Sequence, residues 1–354
     1  MGSVTPPLKQ PWIETPLIPS PDLSRAAGCN ILLKLENLQP SGSFKSRGVG
    51  NLVARAAASS PEATASAHFY CSSGGNAGLA CAHAAIALSR PCTIVTPITA
   101  PAVVLDRLRS LGARVVVSGA DWKECDAYMR DVLMAEDKHA VYVPPFDHPH
   151  VWEGHSSMVR EIEGQVSGPL HGIVDSVGGG GLLNGIMQGV EDWTASPRPA
   201  VVAVETKGAD SLNASILAGE HVTIPGITSI ATSLGATRVS DKTWDWAYRK
   251  ARLGGKPAPP NGPPAALEGV VVSDAEAAIA CIRFGDAARI VVEPACGATI
   301  ATAYNGALRR VLGAGLSDEE WRQRTVVLVV CGGSNVNISV LEGYRQTYGS
   351  LVEW

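Results

Sequence analysis

Ala67-His68-Phe69-Tyr70-Cys71, Cys92-Thr93-Ile94-Val95-Thr96 and Ala113-Arg114-Val115-Val116-Val117 are three short runs rich in apolar and β-branched residues. Each reads as a strand, and the segments between them read as helices. Asn76 to Leu88 is alanine-rich, and Val103 to Leu111 is the second helix. Strand–helix–strand units of this length predict parallel strands joined by right-handed crossovers.

Outward from this block the alternation continues. Ile31-Leu32-Leu33-Lys34-Leu35 is an apolar run, followed by a helix from Val49 to Ala54. Residues 11–17 read as an extended entry segment, because each proline biases its predecessor away from helix. After the loop Val143-Pro144-Pro145-Phe146-Asp147 come a helix near 152–164, strands at Gly172 to Val177 and Val201 to Glu205, and a helix between those strands. Thr325-Val326-Val327-Leu328-Val329-Val330 is a continuous apolar run, the pattern of a parallel strand buried on both faces. The expected fold class is α/β with two parallel-sheet lobes and a crevice at their strand ends. Residues 254–264, rich in Gly and Pro, read as an exposed loop.

Bulk properties narrow the function. The 354 residues suffice for two domains with large cores, and 45% hydrophobic against 18% charged residues is the balance of a globular enzyme. A formal net charge of −4 without a local basic stripe argues against a nucleic-acid partner. No apolar run reaches the roughly 18–20 residues of a membrane helix, and no secretory segment is visible. The eight cysteines form no CxxC pair and no metal-finger spacing, so they read as reduced, mostly buried thiols of a cytoplasmic protein. His148, His150 and His155 match no standard ligand set, and Pro149 is expected to break any helix there. Trp244, Trp246, Trp321 and Trp354 read as packing or interface groups.

Four strand-end segments carry unusual chemistry. In Pro40-Ser41-Gly42-Ser43-Phe44-Lys45-Ser46-Arg47-Gly48 a single lysine stands at a strand-to-helix turn beside an aromatic ring. A lysine that forms an imine with a carbonyl cofactor needs a reachable, partly desolvated amine; the plainer reading is a solvated surface lysine. Ser72-Ser73-Gly74-Gly75-Asn76-Ala77-Gly78 opens a helix with exposed backbone N–H groups suited to a carboxylate, although Asn76 could simply cap that helix. Gly178, Gly179, Gly180 and Gly181 follow an apolar strand and precede a helix. Glycine weakens structure unless backbone must approach something closely, here a phosphate. No acidic residue ends a strand about 20 residues on, as a dinucleotide fingerprint requires, and no GxxxxGK[ST] is present. Finally, Cys331-Gly332-Gly333-Ser334-Asn335 leaves the buried run 325–330, which puts Cys331 either against a ligand edge or in the core. An imine-forming lysine, a phosphate turn and polar strand ends together describe pyridoxal 5′-phosphate (PLP).

With these residues in view, the chain resembles the fold-type II PLP enzymes, a tryptophan synthase β-like fold, and within them the serine/threonine dehydratases. The resemblance runs from Glu14-Thr15-Pro16-Leu17 to the end. It includes Gln39 to Lys45, Pro144 to Asp147, Trp152-Glu153-Gly154-His155, Val177 to Leu183, Glu293-Pro294-Ala295-Cys296-Gly297-Ala298 and Cys331 to Asn335. Trp-Glu-Gly-His and Cys-Gly-Gly-Ser-Asn are most similar to eukaryotic catabolic L-serine dehydratases. The chain ends at Trp354, without room for the regulatory domain of biosynthetic threonine deaminases. The 254–264 stretch looks like an insertion relative to the family.

The resemblance implies a large PLP-binding domain from residues 1–36 and 149–354, a small catalytic domain from 37–148, and PLP in the interdomain cleft. It implies that Lys45 forms the internal aldimine and serves as base, Phe44 lies against the ring, and Asn76 meets O3′. Gly178 to Gly181 would hold the phosphate, with Cys331 near the pyridine nitrogen. Ser73, Gly74, Asn76 and Ala77 would receive the substrate carboxylate, and Glu205, Ala209, Leu234 and Ala236 would hold a monovalent cation such as K⁺. The implied activity is α,β-elimination from L-serine or L-threonine in a cytoplasmic homodimer. A racemase or β-replacement enzyme is the alternative, and a non-catalytic PLP-binding protein a third reading.

Overall fold

The computed structural model describes residues 10–100, 102–252 and 266–354. The Gly/Pro-rich stretch at 254–264 lies outside these residues. Among them are ten strands: β1 (Leu17–Pro19), β2 (Asn30–Lys34), β3 (His68–Cys71), β4 (Cys92–Thr96), β5 (Arg114–Val117), β6 (Ala140–Tyr142), β7 (Gly172–Ser176), β8 (Ala200–Thr206), β9 (Leu267–Val272) and β10 (Thr325–Val329). They form two sheets, each in its own compact unit.

The first unit comprises the chain up to Ile13 and Gln39–Gly154. Its sheet has the order β5-β4-β3-β6, parallel throughout. Helices Lys45–Ala57, Asn76–Ala87 and Ala102–Ser110 supply apolar faces to a core that contains Val49, Leu52, Val53, Phe69, Leu79, Ile94 and Leu108. Each such side chain, fully buried, contributes roughly 1.5–3 kcal/mol. Gly154 permits close helix packing: a Cβ there would lie 2.7 Å from Asn51 Cβ and 2.8 Å from Gly48 Cα. The glycine of Trp-Glu-Gly-His therefore answers to packing against the lysine-bearing helix.

The second unit, Glu14–Leu38 with His155–Trp354, carries the sheet β1-β2-β10-β7-β8-β9. Only β1 is antiparallel, to β2. The apolar run at 325–330 is central: β10 pairs in parallel with β2 on one side and β7 on the other. Helix Pro294–Tyr304 is buried along most of its length, because its Ala, Gly, Cys and Thr residues let it lie close to helix Asp274–Ala288. That second helix starts with a capping box, Glu276 N–H to Ser273 Oγ and Ser273 N–H to Glu276 Oε2.

Two local expectations are corrected. Pro149 does not break a helix; it is the first residue of helix Pro149–Gln165, where its missing N–H costs nothing. Asn76 does not cap the helix it opens, since Gly75 holds the cap position and no side-chain cap bond forms. All eight cysteines are buried free thiols. No helix of the described residues is long and apolar enough to cross a membrane.

Candidate active site

In the first unit, Lys45 is the first residue of helix Lys45–Ala57. The approach to it is rigid. Gly42, at φ +81°, donates to Gln39 O at 2.7 Å, and the Ser41 and Ser46 hydroxyls lie 2.7 Å apart. These serines hold the turn itself, which is why the stretch is serine-rich. The half-buried Lys45 amine donates to Pro145 O at 2.5 Å and stands 5.2 Å from the centroid of the Phe44 ring. The carbonyl that receives it belongs to a loop fixed by Trp152 Nε1, which donates to Phe146 O at 2.9 Å.

Ser73, Gly74, Asn76 and Ala77 share one loop-to-helix junction at the end of β3. Gly78 lets the chain fold over the first turn, since a Cβ there would overlap the Ser73 carbonyl. Gly74 packs on Thr96, whose Cγ2 would be 3.3 Å from an added Cβ. The loop is anchored from below: Ser72 Oγ donates to Asp126 Oδ1 at 2.6 Å, and Tyr142 OH donates to the same oxygen at 3.0 Å. Asp126 carries no sequence signal, because it is joined to Ser72 only by the fold.

In the second unit, Gly178 to Gly180 lie between β7 and the helix Gly181–Glu191, which Gly181 opens. Among the described residues their four N–H groups donate to no protein acceptor. Gly178 abuts backbone: a Cβ would be 3.0 Å from Leu234 Cα. Gly180 adopts φ +91°, and a Cβ there would lie 2.7 Å from Thr243 Cβ. Both glycines are thus required by conformation or by neighbours, and the turn presents unused donors at a helix N-terminus.

Cys331 Sγ lies 3.7 Å from Ser176 Oγ. The neighbouring Cys296 thiol, then burial, then the Glu293 carboxylate push the Cys331 thiol well above its usual range, so it stays protonated. The turn after it needs glycine twice, with Gly332 at φ +82° and Gly333 at φ +115°. A Cβ on Gly333 would overlap the Glu293 carboxylate, which accepts from Ser233 Oγ at 2.9 Å. Asn335 Nδ2 in turn donates to that hydroxyl at 3.2 Å.

Glu205 ends buried at the edge of β8 and accepts from Leu212 N–H at 2.9 Å and Asn213 N–H at 2.8 Å. Burial raises its pKa to about 8, only partly offset by those two donors. Ala209 N–H donates to Thr206 O, and Leu234 O accepts the N–H of Ala236 at 2.7 Å. Among the described residues no group of three His, Cys, Asp or Glu could hold a metal ion.

Residues 8–332 match the family model described as pyridoxal-phosphate dependent enzyme. The chain is 41% identical over 343 residues to the L-serine dehydratase/L-threonine deaminase of Bos taurus, covering 95% of this chain and 96% of that one. It is 40% identical over 328 residues to the catabolic L-serine/threonine dehydratase of Saccharomyces cerevisiae, with 89% and 86% covered. Among solved structures, a fungal L-serine ammonia-lyase from Rhizomucor miehei superposes with a TM-score of 0.83 at 32% identity, over 96% of this chain and 100% of that one. The residues described above fit PLP chemically. A half-exposed lysine amine suits an aldehyde, and four unused N–H groups at a helix start suit a phosphate.

Proposed function

We propose, from the premise that this chain belongs to the family of pyridoxal-phosphate dependent enzymes, that it is an L-serine and L-threonine ammonia-lyase. Serine would give pyruvate and threonine 2-oxobutyrate, each with ammonia. The observation that carries this reading is the near full-length similarity to relatives named for that activity, in a chain that keeps a lysine at a helix start and unused glycine N–H groups.

When bound, PLP supplies an electrophilic aldehyde and an electron-withdrawing ring that make an amino acid's Cα–H acidic. The chain's own groups divide the remaining work. Lys45 Nζ would be the amine that meets the aldehyde, and it would also be the base for the Cα proton. The N–H groups of Gly178 to Gly181 would hold the phosphate, and Phe44 would offer its ring to the cofactor. Asn76 would serve O3′, and Ser73, Gly74, Asn76 and Ala77 would receive the substrate carboxylate at a helix N-terminus. Cys331, whose thiol is held well above its usual range, would be a weak and uncharged partner for the ring nitrogen.

Glu205, with the backbone oxygens of Ala209, Leu234 and Ala236, is the candidate for a monovalent cation; the support is one buried carboxyl raised to about 8 by burial, whose charged form a cation would stabilise. A cytoplasmic location is supported by eight buried free thiols, and a homodimer by the family resemblance. The test is a keto-acid assay on a panel of amino acids, with chiral analysis of recovered serine. Pyruvate from L-serine is expected; D-serine without pyruvate would sink the reading and favour a racemase.

A further inference from the structure

We infer that Thr243, together with Ser240 and Asn184, is a positioning device that aims the N–H groups of the glycine turn at the cofactor phosphate. This rests on the phosphate reading above and adds residues outside the glycine turn itself.

The three side chains form a closed ring. Thr243 Oγ1 donates to Asn184 Oδ1 at 2.9 Å, and Asn184 Nδ2 donates to Ser240 Oγ at 3.0 Å. The two hydroxyls lie 2.9 Å apart. Because the Thr243 proton goes to Asn184, Ser240 must donate to Thr243. Each member is buried, at 0% exposure for Thr243 and Asn184 and 4% for Ser240. Such a ring is stable only when complete, since one lost partner strands buried polar atoms.

Every member also grips the turn. Ser240 N–H donates to Gly179 O at 3.0 Å, and Asn184 N–H donates to Gly180 O at 2.8 Å. Thr243 occupies the space where a Gly180 side chain would stand. A trans peptide points its C=O and N–H in opposite directions. Tying the carbonyl of Gly179 to Ser240 therefore turns the N–H of Gly180 away from the ring. The carbonyl of Gly180 accepts the first i−4 bond of helix Gly181–Glu191, from Asn184 N–H, which turns the N–H of Gly181 out of the helix start. These are two of the four unused donors. Ser240 further accepts Thr243 N–H at 3.2 Å, so the start of helix Asp241–Arg252 and the turn share one set of hydrogen bonds. The arrangement holds donors in place before a phosphate arrives, which lowers the ordering cost of binding.

The test titrates PLP and pyridoxal, which lacks the phosphate, in parallel against the full-length wild type, Thr243→Val, Thr243→Ser and Ser240→Ala. Thr243→Val should weaken PLP about 10-fold or more, the scale of lost supporting contacts around a bound group. Its affinity for pyridoxal should match wild type, and Thr243→Ser should restore PLP binding. Ser240→Ala, which leaves Thr243 packing intact, should also weaken PLP selectively and serves if Thr243→Val does not fold. Equal affinity of the variants for PLP, or equal loss of PLP and pyridoxal, would overturn the inference. A wild type that binds no PLP would instead overturn the cofactor reading itself.

Discussion

The amine of Lys45 donates to the carbonyl oxygen of Pro145 at 2.5 Å, across 100 residues of chain. The amine's direction is thus set by the Pro144–Asp147 loop, while its position is set by the start of its own helix. Lys45→Ala leaves helix and loop contacts otherwise intact, so the variant should fold with a thermal midpoint within a few degrees of wild type. Pyruvate formation should fall by about 10³-fold or more, because the proposed covalent partner and base are removed together. Lys45→Arg should be equally inactive, since a guanidinium stays protonated and forms no imine. Pyruvate release at the wild-type rate from either variant would refute the role.

Asp126 is the acceptor for both Ser72 and Tyr142, so its loss strands two hydroxyls beneath the loop that carries Ser73 and Asn76. Asp126→Ala should cost about 1–3 kcal/mol in urea unfolding. It should raise KM for serine more than it lowers kcat, because the loop is read as holding the substrate carboxylate. An unchanged KM would separate Asp126 from substrate binding.

The glycine turn responds to two independent constraints, and a pair of variants separates them. Gly180→Ala must tolerate φ +91° and an overlap with Thr243. The first costs about 1–2 kcal/mol for a residue with a side chain, and the overpacking about 1–3 kcal/mol. Adding Thr243→Ala should relieve the overlap but not the backbone strain, so part of the lost stability returns while PLP affinity stays low. Full recovery of both in the double variant would show that packing alone required glycine.

Both lobes were readable from sequence because their central strands are apolar runs set off by turn residues, as in Thr325 to Val329. The short strands β1 and β6 were not, being three residues each; in β1, Leu17–Pro19, a proline sits inside the strand itself. Strand β9 was missed because it follows the Gly/Pro stretch and is a six-residue run, Leu267–Val272, that carries Glu268 and Gly269 and fully buries only its two end residues. At the site, residues in glycine- and serine-rich strand ends were legible, because those compositions have few structural excuses. Asp126, Ser233 and Thr243 were not: an Asp, a Ser and a Thr are ordinary, and each gains its role from partners 54 to 60 residues away.

Asp175 supplies a pH test of the same strand that feeds the glycine turn. It is fully buried in β7, and neither carboxylate oxygen has a hydrogen-bond partner among the described residues. Burial therefore pushes its carboxyl well above the usual range. The unfolded chain releases this proton near pH 3.9, whereas the folded chain keeps it to higher pH. Between those values the native state binds one proton more than the unfolded state, so stability falls as pH rises, by at most about 1.4 kcal/mol per unit. Asp175→Asn cannot ionise and lacks this slope. Urea unfolding of both proteins from pH 4 to pH 8 should show the variant gaining on wild type as pH increases, above a constant offset from the amide's own unpaired donors. Parallel curves would mean that Asp175 finds a partner or water in solution, and that the strand's apparent polar defect is filled.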